Sequence, residues 1–179
     1  MYHISDDIRA QKSAQRICDA VLAYSERTPF AHISISDLNK EYGISRPTFY
    51  RLFDNTVDVL EYSCDQMGRA ILLNLPGDSV KELIINAISA LRDRRELIGL
   101  LYQSGHMDIF LRIQEQYLPV SKLASGPEFD GDSAYFHRIL AQLIPTAIHV
   151  WVSDGMQASP EQVYDELRRS IQMLGKWFA

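Results

Sequence analysis

Helical periodicity from one end to the other, with almost no strand pattern, is the feature that most constrains the fold of this chain. Between Ile8 and Tyr24, apolar side chains recur every three or four positions and charged ones fill the gaps, as in an amphipathic helix. Similar patterns continue through most of the 179 residues. The one alternating stretch, His32 to Asp37, is too short and too polar to form a sheet. We therefore predict an all-α fold of about nine helices.

The last two helices have the clearest boundaries. The first of them is predicted to end at Asp154-Gly155, because glycine suits the left-handed position after a helix. The second begins at Ser159-Pro160-Glu161-Gln162, where Ser159 and Gln162 have the spacing of a capping box and proline occupies the first helical position.

Residues 34–53 contain two short helical patterns separated by a glycine. Ser34 can cap the first helix, Gly43 can form the turn, and Ser45 can cap the second helix, which covers residues 46–53. Two helices joined by a three-residue turn that contains glycine are typical of a helix-turn-helix.

The second of these helices has one apolar and one basic face. Phe49, Leu52 and Phe53 lie at positions i, i+3 and i+4 and form a stripe that we expect to be buried. The opposite face then carries residues suited to phosphates and base edges: Arg46, Pro47, Tyr50 and Arg51, with Thr48 at its edge. No Asp or Glu occurs between Tyr42 and Phe53. An ordinary helical hairpin with solvated arginines is the alternative that the spacing leaves open.

The pattern Ser34-x-x-x-Leu38 … Gly43-Ile44-Ser45-Arg46-x-Thr48-Phe49-Tyr50-Arg51-x-Phe53 resembles the N-terminal DNA-binding domain of TetR-family transcriptional regulators. The tail from Trp151 to Glu161 is similar to the C-terminal region of one branch of that family. The resemblance implies an all-α homodimer with a DNA-binding domain over residues 1–54. Residues 55–179 would then form an effector-binding and dimerisation domain. We expect a repressor that binds a palindromic operator in double-stranded DNA and is released by a small-molecule effector.

The resemblance also implies roles for individual residues. The second helix would enter the major groove, where Arg46 and Thr48 would approach bases and Tyr50 would contact a phosphate. Ser34 would hold another phosphate at the start of the preceding helix. The full predicted DNA-binding set is Ser34, Ser45, Arg46, Pro47, Thr48, Tyr50, Arg51 and Thr56. The family usually has lysine at the position of Thr56, so this chain lacks one positive charge there.

The charge balance motivates an alternative function. The chain has 18 Lys+Arg against 23 Asp+Glu, a net charge of −5, and residues 1–62 carry 7 basic and 9 acidic side chains. The predicted DNA-binding domain is therefore not basic overall, but its second helix-turn-helix helix carries two arginines and no acidic residue. The alternative is a TetR-like co-regulator that acts through a protein partner, with weak or no DNA binding of its own.

Two further sites are predicted in the larger domain. Ligand sites in helical bundles lie between helices and are lined by apolar groups with a few polar ones, and the candidates are Tyr102, His106, Phe110, Gln114 and Tyr117. Plain core packing explains each of them equally well. The dimer interface is expected on the apolar stripes of the last two helices: Leu140, Leu143, Ile144, Ala147 and Trp151 on one, and Val163, Leu167, Ile171 and Leu174 on the other.

Other classes of function have no pattern to support them. The five histidines have no metal-ligand spacing, and Cys18 and Cys64 fit small buried hydrophobic positions. No nucleophile or phosphate-loop motif occurs, so we expect neither an enzyme nor a bound metal or cofactor. No apolar run of membrane-spanning length is present, and the polar, acidic N-terminus lacks signal-peptide features. We expect a cytoplasmic protein.

Overall fold

The prediction of an all-α fold is confirmed. A computed structural model describes residues 2–118 and 134–177, with the backbone alone for 134–141 and 144. The described residues form nine α-helices and, between the first two, a short 3-10 turn at Phe30–His32. Their only extended pairing is an isolated antiparallel bridge between Tyr2 and Phe53. The helices are α1 (Ile8–Ser25), α2 (Ile35–Tyr42), α3 (Arg46–Leu52), α4 (Thr56–Leu72), α5 (Val80–Arg92), α6 (Arg95–Gln103), α7 (Met107–Tyr117), α8 (Ala134–Ser153) and α9 (Pro160–Trp177).

Helices α1, α2 and α3 pack on one another around a small core. The predicted stripe of α1 is buried at Ala14, Ile17 and Val21. It meets Leu38 of α2 and Phe49 of α3, which are both fully buried. These three helices form the helix-turn-helix unit that the sequence pattern predicts.

The turn between α2 and α3 depends on Gly43. Its backbone is left-handed, with φ of 66°, a conformation that favours glycine. The Gly43 amide donates to the Asn39 carbonyl at 2.9 Å and the Ile44 amide to the Leu38 carbonyl at 3.4 Å, so the chain reverses within a Schellman-type cap. Arg16 of α1 donates to the Tyr42 carbonyl at 2.6 Å and thereby fastens the turn to α1.

Helix α4 connects this unit to the rest of the protein, because it packs against α1 on one side and against α5, α6 and α7 on others. The Asn55 side chain accepts from the Asp58 amide at 3.1 Å and caps the start of α4. The contact with α7 is especially close at Gly68, where an added Cβ would lie 2.3 Å from Cγ2 of Ile113.

The two C-terminal helices begin and end close to the predicted residues. After α8, Gly155 adopts φ of 71°. At the start of α9, the Ser159 hydroxyl accepts from the Gln162 amide at 3.3 Å, and the Ser159 amide donates to the Gln162 side chain at 2.8 Å. The predicted capping box is therefore present. None of the described helices has the length and apolarity that a membrane span requires.

Candidate nucleic-acid interface

The exposed face of α3 carries the basic residues that the sequence pattern places there. Phe49 and Leu52 are buried, and this fixes the orientation of the helix. Arg46, Pro47 and Arg51 are consequently exposed, whereas Thr48 at the edge of the face is half-buried. Tyr50 has 55% of its surface exposed, and its ring meets that of Phe49 edge to face.

Hydrogen bonds at the start of α3 orient part of this face. Arg46 donates to the Ser36 hydroxyl at 2.8 Å, joining the first turns of α2 and α3. The Ser45 hydroxyl accepts from the Thr48 amide at 3.2 Å and bonds to the Thr48 hydroxyl at 2.8 Å. Within residues 2–118 and 134–177, neither Arg46 nor Arg51 forms an ion pair with an acidic side chain. Both guanidinium charges are thus available to an anionic partner.

Ser34 and Thr56 lie in different surroundings. The Ser34 hydroxyl caps α2 by accepting from the Asp37 amide at 3.2 Å, and it also bonds to the Asp37 carboxylate. This carboxylate already neutralises the positive helix end at which a phosphate was expected. Thr56 is half-buried at the first position of α4. It lines a groove of about 680 Å³ together with residues 25–31 and the end of α6.

The five predicted ligand-binding residues do not line one pocket. Tyr102 is exposed and its ring meets that of His149 at 5.3 Å. His106 packs edge to face on Phe30 of the helix-turn-helix unit. Of the five, Gln114 lines a small cavity between helices, and His106 lines the groove beside Thr56. Phe110 and Tyr117 are buried side chains of α7.

The cavity beside Gln114 is small and apolar. Its volume is about 20 Å³, which is room for roughly one water molecule. The Gln114 side chain is 4% exposed and forms no hydrogen bond to any residue that the structure describes. Its walls come from five helices: Ile71 and Leu72 of α4, Ile84, Ala87, Ile88 and Leu91 of α5, Gln114 of α7, Ala147 and Ile148 of α8, and Leu167 of α9.

The predicted interface residues divide into buried and exposed groups. Trp151 and Val163 are buried inside the subunit, and Trp151 donates to the Ala158 carbonyl at 3.0 Å, so both side chains are covered without a second copy. Ile171 and Leu174 are 45% and 46% exposed. Leu143, Ala147 and Leu167 are half-buried, whereas the side chains of Leu140 and Ile144 lie outside the described residues.

Sequence reasoning missed a buried polar group on α4. Asp65 is 6% exposed and accepts from the Tyr117 hydroxyl of α7 at 2.7 Å. Burial and this hydrogen bond raise the pKa of Tyr117. The partners are 52 positions apart, and no local pattern marks either of them. Among the described residues, no group of three or more His, Cys, Asp or Glu could hold a metal ion.

The fold is shared with solved structures. Lin0861 from Listeria innocua is 18% identical, with a TM-score of 0.76 over 96% of both chains. A TetR transcriptional regulator from Streptococcus agalactiae 2603V is 14% identical, with a TM-score of 0.64 over 88% of this chain and 92% of that chain. Neither protein-family models nor curated proteins give a match. The chain therefore has a TetR-like fold, as the sequence resemblance predicts.

Proposed function

We propose that this protein is a sequence-specific DNA-binding transcriptional regulator that acts as a homodimer, with residues 1–54 as its DNA-binding domain and residues 55–179 for dimerisation and effector binding. The observation that carries the proposal is the exposed face of α3. It presents Arg46, Tyr50 and Arg51 without an acidic partner among the described residues, on a helix-turn-helix within a TetR-like fold. This is the chemistry that reads DNA in such units.

In the proposed complex, α3 lies in the major groove. Arginine pairs with two acceptors on the guanine edge, and Arg46 is held near the start of the helix by Ser36. The Tyr50 hydroxyl would contact a phosphate and help to fix the register. Two copies of α3 would bind half-sites about 34–36 Å apart or a multiple of that distance, so the operator would be palindromic.

Dimerisation is supported by apolar surface on α8 and α9. Val150 is 54% exposed, and Ile171 and Leu174 lie one helical turn apart on α9 and are nearly half exposed. Apolar residues placed in this way on two adjacent helices suit a symmetric contact with a second copy. Ile171→Glu would place a charge in that contact. We expect light scattering to show a dimer for the wild type and a folded monomer for the variant.

We propose repression that is released by an effector bound beside Gln114. The cavity there holds roughly one water, so a larger molecule must displace side chains of α4 and α5. Helix α4 also packs against α1 of the helix-turn-helix unit. A ligand that prefers the state with a larger cavity would therefore change the separation of the two α3 helices. A ligand shifts such an equilibrium only by its difference in affinity for the two states.

Binding to the upstream DNA of the protein's own gene tests the proposal, measured by fluorescence anisotropy at low salt. Arg46→Ala is expected to weaken specific binding by roughly 10- to 100-fold, since one bidentate base contact is lost. Tyr50→Phe should weaken binding about equally for all sequences, because it removes a phosphate contact. Arg95→Ala, an exposed arginine on α6, is the control and should bind like the wild type. If both α3 variants bind like the wild type, the assigned face is wrong.

A second candidate is a co-regulator that acts through a protein partner. Three features reduce the attraction for phosphate. Thr56 is half-buried, the Asp37 carboxylate lies at the start of α2, and the chain has a net charge of −5. The same assay distinguishes the two candidates. If the wild type alone does not bind DNA and a protein partner from the cell restores binding, the co-regulator is favoured.

A further inference from the structure

The segment of residues 2–4, which we name the N-terminal strap, is fastened to the end of the DNA-reading helix. The His3 amide donates to the Leu52 carbonyl at 2.8 Å, and Tyr2 forms an antiparallel bridge with Phe53. The His3 ring also meets the Asp54 carboxylate at 3.0 Å. These contacts hold the chain immediately after α3, where a small rotation would reorient the whole helix.

The strap also rests on the middle of α4. The ring of Tyr2 meets that of Tyr62 edge to face at 5.3 Å, and Tyr62 in turn meets Phe53 at 5.9 Å. Burial, followed by the charge of Asp65, raises the pKa of Tyr2 to about 12. Tyr62 and Asp65 are three positions apart on a helix and therefore share a face. The strap thus lies next to the buried carboxylate of α4.

On the side of the larger domain, the same carboxylate binds α7. The Tyr117 hydroxyl donates to Asp65 at 2.7 Å, and Arg69 lies beside that hydroxyl at 3.4 Å. Asp65 and Tyr117 are both 6% exposed. The free-energy cost of burying a carboxylate depends strongly on its hydrogen-bond partners. A movement of α7 that weakens the bond from Tyr117 would therefore disturb the packing around Asp65.

We propose that Tyr117, Asp65 and the N-terminal strap form one linkage that positions α3 relative to the larger domain, with Tyr2 and Tyr117 as positioning residues for DNA reading. Tyr117 of α7 bonds to Asp65 of α4, the charge of Asp65 acts on Tyr2 of the strap, and Tyr2 pairs with Phe53, the residue that follows α3. A movement of α7 against α4 would therefore change the orientation of the reading helix within each subunit. The role in DNA reading rests on the proposed function, whereas the linkage itself does not.

Hydrogen exchange of the full-length protein tests the linkage without DNA. Tyr117→Phe removes one hydroxyl and keeps the ring, so the fold should persist. We expect amides of residues 46–54 and 2–4 to exchange about fivefold faster, which is the effect of losing one typical hydrogen bond, while α9 is unchanged. Tyr102→Phe removes an exposed hydroxyl from α6 and is the control. Faster exchange confined to α4 and α7, or spread evenly over the chain, would overturn the linkage.

A second pair of variants approaches the linkage from the strap. Tyr2→Ala should accelerate exchange of residues 46–54 and weaken specific DNA binding while non-specific binding is kept, and Tyr2→Phe should have smaller effects on both. If the wild type binds no DNA but the exchange pattern appears, the proposed function fails and the linkage holds. If the wild type binds DNA and neither Tyr2→Ala nor Tyr117→Phe alters exchange in α3, the linkage fails and the proposed function holds.

Discussion

Gly68→Ala tests whether α4 and α7 are packed as closely as the structure indicates. The new Cβ would lie 2.3 Å from Cγ2 of Ile113 and 3.4 Å from Cδ2 of Tyr117. A methyl carbon cannot approach another within 3 Å, and Cγ2 is attached directly to the Cβ of a β-branched residue with little rotamer freedom in a helix. The two helices must therefore separate, or Ile113 must leave its position.

The expected size follows from two opposing effects. Alanine in place of glycine within a helix stabilises by about 1 kcal/mol, whereas overpacking a well-packed site costs about 1–3 kcal/mol. Because 2.3 Å is more than 1 Å shorter than ordinary van der Waals contact at 3.4–4 Å, we take the upper part of that range. A net loss of about 1–2 kcal/mol in the free energy of unfolding results. For a chain of this size that is a fall of roughly 2–8 °C in the thermal midpoint.

Urea unfolding followed by circular dichroism measures this change, and Gly99→Ala is the matched control. Gly99 lies within α6 and nothing stands within 4 Å of its added Cβ, so Gly99→Ala should gain up to about 1 kcal/mol. Ile113→Ala removes the clashing methyl. Gly68→Ala should therefore cost less stability when it is introduced into the Ile113→Ala variant than when it is introduced into the wild type. If the Gly68→Ala variant is as stable as the Gly99→Ala variant, the close packing of α4 and α7 is refuted.

Four further predictions concern the α9 cap, the two buried thiols and the cavity. Ser159→Ala removes the acceptor of the α9 capping box and should cost about 1 kcal/mol in urea unfolding; an unchanged midpoint would contradict it. Burial raises the pKa of both Cys18 and Cys64 from 9.0 to about 12, so neither thiol should react with a disulfide reagent at pH 8 before urea unfolds the chain. Since only the unfolded chain can ionise these thiols between pH 9 and 12, the free energy of unfolding should also fall as the pH rises through that window. Gln114→Leu should stabilise by about 1 kcal/mol, because it replaces a buried amide that has no partner among the described residues; a loss of stability instead would mean that the amide is satisfied.

The parts of the fold that sequence predicts are those fixed by local chemistry. The left-handed Gly43, the Ser45 cap of α3 and the capping box at Ser159 each involve residues within a few positions of one another. The buried face of α3 follows from helical spacing alone, and that spacing also determines which residues of the helix are exposed. The face of α3 was therefore predictable to the residue.

The parts that sequence does not predict depend on contacts between distant segments. The sequence pattern offers Tyr117 as a pocket residue, and only the placed helices reveal that its hydroxyl donates to Asp65 of α4, 52 positions away. His106, another predicted pocket residue, packs on Phe30, which lies far away in the sequence. Helical periodicity identifies an apolar face without identifying the element that covers it. Core, pocket and interface residues look alike until the helices are placed.

Selection of binding sites from a pool of random DNA duplexes tests the central claim most directly. The wild-type protein is expected to enrich an inverted repeat whose half-sites are about one helical turn apart or a multiple of it. Arg46→Ala, on the exposed face of α3, should lose the preference at one base position in each half, and Arg95→Ala should select the wild-type sequence. A pool that stays random after repeated selection at low salt would contradict the claim that this protein reads DNA through α3.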